Sequence, residues 1–294
     1  MPAPAIGFVG FGEAGSRIAA GLRESGAGEL AAYDIADTET IRQRAAAAQV
    51  TLVKTNAELT ARCSIVFSVV TASSALEAAQ QNAGHLLAGH TYLDCNSVSP
   101  STKRKIAGVI QCSAARFIET AIMAPVPKHK GQSVPMLVNG AGAAELASQL
   151  ASLGFSMEAL DAEFGTAAAI KLCRSIFVKG LEAILTELVL GASEFGAEEH
   201  VFASIQQSFP GIQWKQLADY MVNRVVVHGA RRAREMEEVA EMLRSAGIEP
   251  IMAEATARRQ DWAAKQKLAS HFGPEGPATY REVLAALSGK PAQG

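Results

Sequence analysis

The chain has 294 residues, of which 49% are apolar and 19% charged, with 27 Lys plus Arg against 29 Asp plus Glu and a net charge of −2. Apolar residues at this density build real cores, which excludes a disordered chain. The near-neutral balance excludes bulk electrostatic binding to nucleic acid or to an anionic membrane.

At roughly 150 residues per domain, the length predicts about two domains. No run of 18 or more apolar residues is free of charge, so no membrane-spanning helix is expected. Met1-Pro2-Ala3-Pro4 carries no basic region before the first apolar run, so no signal peptide is expected and a cytoplasmic location is. Cys63, Cys95, Cys112 and Cys173 form no Cys-x-x-Cys pair, which predicts reduced thiols and no zinc site. No Asp, Glu or His cluster has metal-ligand spacing, and no metal is expected.

From residue 5 to about 160, short apolar runs alternate with helical patterns. Strands are predicted at Ile6–Val9, Leu30–Tyr33, Ser64–Val70, Tyr92–Asp94, Phe117–Thr120 and Met136–Val138, with helices near 14–25, 38–48, 73–87, 100–111 and 142–152. Such alternation calls for a doubly wound, mostly parallel α/β sheet with helices on both faces. Past residue 164 the pattern turns helical throughout. A long helix over Thr166–Phe195 is followed by helices at 212–228, 229–246, 251–270 and 278–288, then a loose tail over Ser288–Gly294. The expected organisation is a Rossmann-type α/β domain over 1–164 and an all-α domain over 165–294 for substrate binding and dimerisation.

The first strand runs straight into Gly10-Phe11-Gly12-Glu13-Ala14-Gly15 and then into a helix. This is G-x-G-x-x-G in the strand–turn–helix context that dinucleotide binding requires. Gly10 serves the tight turn, Gly12 the approach of a pyrophosphate, and Gly15 the packing of helix on strand, with phosphates resting on the helix N-terminus. The second strand ends in Asp34, 19 residues after Gly15. An acid there accepts from the adenine-ribose hydroxyls and repels a 2′-phosphate, favouring NAD over NADP without excluding the latter. Methyltransferases share a glycine turn and an acidic strand end, so these residues alone do not name a reaction.

On the long helix, Lys171, Arg174, Ser175, Lys179 and Glu182 share one face of an otherwise apolar pattern. A solvated helix face is one reading. A polar cleft is the other: the first two turns hold Lys171 and Arg174 with no acid on the stripe before Glu182, which suits an anionic ligand such as a carboxylate. A lysine acts as acid or base when burial or a neighbouring cation lowers its pKa, and Arg174 is a candidate for that cation.

With these motifs the chain resembles the β-hydroxyacid dehydrogenases, relatives of 6-phosphogluconate dehydrogenase, most strongly over 5–34, 64–100 and 165–180. Residues 7–15 match the cofactor motif closely. Val69-Val70-Thr71 occupies the turn that lines the nicotinamide ribose, without its proline. Asp94-Cys95-Asn96-Ser97-Val98-Ser99-Pro100 stands for the motif Asp-x-Ser-Thr-x-x-Pro, so the resemblance gives Asn96 and Ser97 the places that hold substrate and nicotinamide. The catalytic lysine falls on Lys171, six residues after Gly165. The resemblance thus implies a cofactor set of Gly10, Phe11, Gly12, Glu13, Ala14, Gly15, Asp34, Val70, Thr71, Asn96 and Arg234, though the Glu13 side chain reads as an exposed turn residue. It implies reversible hydride transfer on a small hydroxy acid with Lys171 as general acid/base, decarboxylation following in some relatives, and a homodimer.

Three departures cloud the substrate. Met123-Ala124-Pro125 stands where the family has its substrate-gripping Ser-Gly-Gly. Arg174-Ser175 replaces the Asn that follows the lysine, and Arg234-Glu235 replaces a later Lys-Asp pair. A carboxylate is therefore expected on Arg174, Asn96, or backbone at Met123–Ala124, with Ser175 beside it. The rivals are an imine reductase, which Lys171 argues against, a methyltransferase, which has no use for that lysine, and a non-enzymatic NAD-binding regulator.

Lesser candidates are read as structural. His228-Gly229-Ala230-Arg231-Arg232 is taken as a helix junction, with His228 or Arg231 alternatively reaching a substrate from a second subunit. Arg231–Glu235 and Arg234–Glu238 have ion-pair spacing. Lys128-His129-Lys130 reads as a solvated loop tip, and Trp214 and Trp262 as helix packing.

Overall fold

The computed structural model describes residues 4–126 and 130–288; Lys128 and His129 of the expected loop tip lie outside them. The chain separates into two compact units that meet within one helix, between Lys171 and Leu172.

The first unit is an eight-stranded sheet. Its strands are β1 (Ile6–Val9), β2 (Leu30–Tyr33), β3 (Thr51–Leu52), β4 (Ile65–Ser68), β5 (Thr91–Asp94), β6 (Arg116–Ile122), β7 (Pro135–Asn139) and β8 (Ser156–Leu160). They lie in the order β3-β2-β1-β4-β5-β6-β7-β8, and only the β6–β7 pairing is antiparallel. The helices between them are α1 (Glu13–Glu24), α2 (Glu39–Ala47), α3 (Asn56–Arg62), α4 (Ala75–Ala83), α5 (Pro100–Gln111) and α6 (Ala143–Ala151).

The parallel strands read as unbroken apolar runs because both faces of the sheet are covered. Ile6, Phe8, Phe67 and Phe155 belong to one core, in which the rings of Phe8 and Phe67 stack at 5.7 Å and those of Phe67 and Phe155 at 5.5 Å. Val9, Val66, Tyr92 and Phe117 belong to the core on the opposite face, with Ile106 and Ile110 of α5. The six predicted strands are all present. Two more were not predicted. β3 is only two residues long, and β8 is an edge strand left largely exposed, so neither shows a hydrophobic period. The short α3, capped by Thr55, was also unpredicted.

The second unit is helical: α7 (Thr166–Glu194, which begins in the first unit), α8 (Glu198–Ser208), α9 (Trp214–Ser245), α10 (Ile251–Lys265), α11 (Leu268–Phe272) and α12 (Tyr280–Ser288). No strand occurs here among the described residues. α8 was not predicted, and the expected 251–270 helix is two helices.

A larger correction concerns His228-Gly229, which is no junction. α9 runs through it for 32 residues. Gly229 serves a close approach instead of a turn: a Cβ there would sit 2.6 Å from the Gln260 carbonyl oxygen of α10. Arg231 and Glu235 do form the expected pair. Leu185, Val189, Phe202, Val222, Val226 and Tyr280 make the core of this unit.

Candidate active site

The sheet order reverses direction between β1 and β4, whose carboxyl ends carry the glycine turn and Val69-Val70-Thr71. Such a switch point opens a crevice outside the strand ends. Gly10 has φ +86°, and a Cβ on it would meet the Val69 carbonyl oxygen at 2.6 Å, so only glycine lets the turn press against the loop after β4.

Gly12 is the opposite case: a Cβ there would meet nothing within 4 Å. Gly12 is the N-cap of α1 but supplies no side-chain cap, and the first intrahelical bond runs from Ser16 N–H to the Gly12 carbonyl. The first turn of α1 thus lacks a side-chain cap and has open space beside its N-cap, as an anion site requires. The residues present fit the pyrophosphate of a dinucleotide.

Asp34 is half-buried at the end of β2. Its carboxylate accepts from Phe11 N–H at 2.7 Å and from Ala36 N–H at 2.8 Å. It therefore braces the glycine turn as well as standing where a ribose would lie. A carboxylate offers about four lone-pair sites, so acceptor capacity remains for ribose hydroxyls.

The loops after β4 and β5 are tied together by Asn96. Its Oδ1 accepts from Val70 N–H at 2.7 Å, and its Nδ2 donates to Ser68 Oγ at 3.0 Å and to Asp94 Oδ1. Asn96 is 4% exposed, so it acts here on the protein's own backbone. Beneath it, Lys103 of α5 donates to Asp94 Oδ2 and to the Asp94 carbonyl, both at 2.6 Å. Lys103 and Asp94 are fully buried. Neither was singled out from the sequence. A signal existed, because Lys103 sits on the apolar stripe of α5 with Ile106 and Ile110. Cys95 beside them is no nucleophile: burial, against the attraction of Lys103, pushes its thiol up to about 12.

Ser97 is exposed next in the chain, and Lys171 Nζ donates to its Oγ at 2.5 Å. Thus a sequence separation of 74 residues closes to one hydrogen bond within the first unit. With its oxygen accepting from Lys171, the Ser97 hydroxyl keeps its own proton to donate. Thr71 is exposed and its hydroxyl lies 3.1 and 3.0 Å from those of Ser73 and Ser74. Of the expected backbone contacts, Met123 N–H already donates to the Pro135 carbonyl at 2.8 Å, while Ala124 is exposed.

In the second unit the polar stripe divides. Arg174 is exposed, whereas Ser175, Lys179 and Glu182 are buried. Lys179 Nζ donates to Ser175 Oγ at 2.8 Å and pairs with Glu235 of α9 at 3.1 Å. The cation at 179 is therefore balanced by another helix, which leaves the expectation of an anionic ligand on Lys171 and Arg174. Burial draws Lys179 below the usual lysine value against that attraction. Glu182 takes Arg232 through both oxygens at 2.5 and 2.6 Å and accepts from Gln260 Nε2 at 2.9 Å. His228 lies within α9, and Arg234 is exposed on the same helix. No group of three or more metal-capable side chains occurs among the described residues.

Comparison with known proteins places the chain in a family. Residues 5–156 match the NAD binding domain of 6-phosphogluconate dehydrogenase, and residues 192–263 match a domain of unknown function. The chain belongs to the 6-phosphogluconate dehydrogenase-like family of NAD-binding proteins. Its first unit contains an NAD-binding domain. A conserved hypothetical protein from Sinorhizobium meliloti is 35% identical, with a TM-score of 0.81 over 98% of this chain and 96% of that one. A conserved protein of unknown function, described as structurally similar to 3-hydroxyacid dehydrogenases, is 31% identical, with a TM-score of 0.75 over 89% of this chain and 97% of that one. The mitochondrial 3-hydroxyisobutyrate dehydrogenase of Drosophila melanogaster is 24% identical over 213 residues, 71% of this chain and 64% of that protein.

Proposed function

We propose that the chain is an NAD-dependent oxidoreductase acting on the CH–OH group of a small hydroxy acid. Lys171 is its general acid/base and Ser97 its orienting hydroxyl. The observation that carries this reading is the Lys171–Ser97 hydrogen bond beside the switch-point crevice. Bound in that crevice, a nicotinamide dinucleotide supplies the hydride acceptor or donor.

Lys171 Nζ, in its neutral form, takes the proton of the substrate hydroxyl, and in the reverse direction the ammonium returns it to a carbonyl oxygen. Ser97 accepts from Lys171 and donates to the same substrate oxygen, so the two groups fix where that oxygen sits. Asn96 serves both by holding the loops after β4 and β5 in register. Arg174, exposed one turn along α7, is the candidate for the carboxylate, with Ser175 beside it. Met123 N–H is already engaged, which weakens the backbone alternative at Met123–Ala124.

Asp34 favours NAD over NADP in this reading. The residues through 164 serve the dinucleotide, and those from 165 serve substrate binding and homodimerisation. Arg234 takes no part in the proposal.

The test is a screen of hydroxy acids, their keto acids and cyclic imines, followed at the nicotinamide absorbance band with both NAD and NADP. Lys171→Ala is expected to lower turnover by roughly 10²–10⁴-fold while leaving the dinucleotide Kd unchanged. Unaltered turnover in Lys171→Ala overturns the assignment.

A further inference from the structure

We propose that Glu119 is the positioning residue for Lys171. It acts as a buried clamp that sets the axial position and rotation of α7. The idea rests on the proposed role of Lys171, but its geometry lies wholly within the first unit.

Glu119 sits on β6 and is fully buried. A buried carboxylate is costly unless it is paired or hydrogen-bonded throughout. Among the described residues it is held by the start of α7 and by one side-chain amide. Oε2 accepts from Gly165 N–H at 2.8 Å, and Oε1 accepts from Ala168 N–H at 2.9 Å. Oε2 also receives Asn139 Nδ2 at 3.4 Å.

Asn139 stands opposite Glu119 in the β6–β7 ladder and grips the same segment. Its Nδ2 donates to the Glu163 carbonyl at 3.0 Å, and its Oδ1 accepts from Ala162 N–H at 3.4 Å. Phe164, between these contacts, packs edge-on against Phe117 at 5.2 Å. The facing pair Glu119 and Asn139 thus holds residues 162–168, the lead into α7, against the sheet.

One carboxylate bound to N–H groups three residues apart fixes a helix in two ways at once. Each residue of an α-helix advances 1.5 Å and turns about 100°, so a slip of one position breaks both bonds together. Lys171 is three residues beyond Ala168. The same slip carries its amine away from Ser97 Oγ, which it meets at 2.5 Å. The carboxylate also uses up the positive N-terminal end of α7, so that end is not left to bind a substrate acid.

A residue that only stabilises the fold would change melting temperature and leave Lys171 where it is. The experiment therefore reads Lys171 directly. Wild type, Glu119→Gln and Glu119→Ala are labelled with trace acetic anhydride, acetylation of Lys171 relative to exposed Lys105 is measured by mass spectrometry, and Lys171→Ala is compared in turnover. NADH affinity is followed by fluorescence, and kcat and KM with whichever substrate the screen yields.

Glu119→Gln keeps the size and one acceptor oxygen, so it retains the fold should Glu119→Ala lose it. The expected result is a raised Lys171:Lys105 ratio and a kcat lower by roughly 10–10²-fold, the scale of a misplacement of about 1 Å, with NADH affinity unchanged. A wild-type labelling ratio in Glu119→Gln overturns the proposal, as does a loss of NADH affinity in step with kcat. Should Lys171→Ala turn over normally, the catalytic reading of Lys171 fails instead, and the labelling ratio still decides whether Glu119 sets α7.

Discussion

The two units bury charge in different ways. In the sheet unit, buried charged side chains act on backbone, directly or through one neighbouring side chain. Asp94, neutralised by Lys103, holds the Asn96 amide that binds Val70 N–H, and Glu119 binds the first turn of α7. In the helical unit they act on one another. Glu182 pairs with Arg232, and Lys179 with Glu235, each time from α7 to α9. The first arrangement fixes loops at the carboxyl ends of strands, where ligands bind. The second fixes helix against helix. Burial pushes Glu182 up and Arg232 down against their mutual attraction, so desolvation opposes the pairing.

The largest expected effects come from breaking one partner of each pair. Arg232→Met takes from buried Glu182 its paired cation and leaves the Gln260 amide and the more distant Lys179 and Arg224, and Lys103→Met leaves Asp94 without its cation. Each is expected to cost about 3–5 kcal/mol in urea denaturation, the range for an uncompensated buried charge. The apolar double replacement Glu182→Leu/Arg232→Met recovers most of that loss. The comparison is sharpened by ligand binding: Lys103→Met also weakens NADH, because Asn96 and the Val70 loop lose their support. If NADH affinity is untouched in a folded Lys103→Met, the buried pair is structural ballast and the contrast between the units fails.

What the sequence revealed follows the same division. The glycine turn, Asp34 and the parallel strands were legible because each leaves a local pattern: a fingerprint between strand and helix, an acid at a fixed interval, an unbroken apolar run. Lys171 stood out on the cationic stripe of its helix and Ser97 only through family resemblance, and their pairing was not legible, since nothing local says that residues 74 apart share a hydrogen bond. Glu119 and Asn139 were not legible. They are polar residues in largely apolar strands, and their meaning lies in a register that only the folded sheet supplies. Gly229 misled for a related reason: a glycine between helical patterns reads as a break, and nothing in α9 itself says that Gln260 of α10 comes close enough to demand it.

A smaller effect is expected at the glycine turn. Gly12→Val adds a side chain where a Cβ meets nothing within 4 Å. The melting temperature should fall by no more than a few degrees, since Gly12 is only half-buried and the added Cβ clashes with nothing, the cost being that of a poorer N-cap. NADH affinity should fall by roughly 10²-fold or more, because the methyls take the space left for the pyrophosphate. Gly10→Ala inverts the pattern. Its Cβ meets the Val69 carbonyl at 2.6 Å in a backbone of positive φ, so stability falls first. Equal NADH binding by wild type and Gly12→Val would place the dinucleotide elsewhere.

The smallest effect concerns His228, and it probes the helical unit alone. Burial, then the neighbouring Arg224, Arg231 and Arg232, draw its pKa down to about 4 from 6.5, with Glu235 opposing. The folded state therefore binds this proton less readily than the unfolded chain. Between pH 6.5 and 4 the unfolded state holds more protons, so stability contributed by neutral His228 is complete above about 6.5 and is lost as the pH falls toward 4. Melting curves from pH 7.5 to 4.5 should decline along this limb, and the decline should be shallower in His228→Gln, which cannot take up a charge among three arginines. Identical slopes for the two proteins would mean that the arginine cluster leaves room for an imidazolium, and that the charges of the helical unit are less confined than their pairing implies.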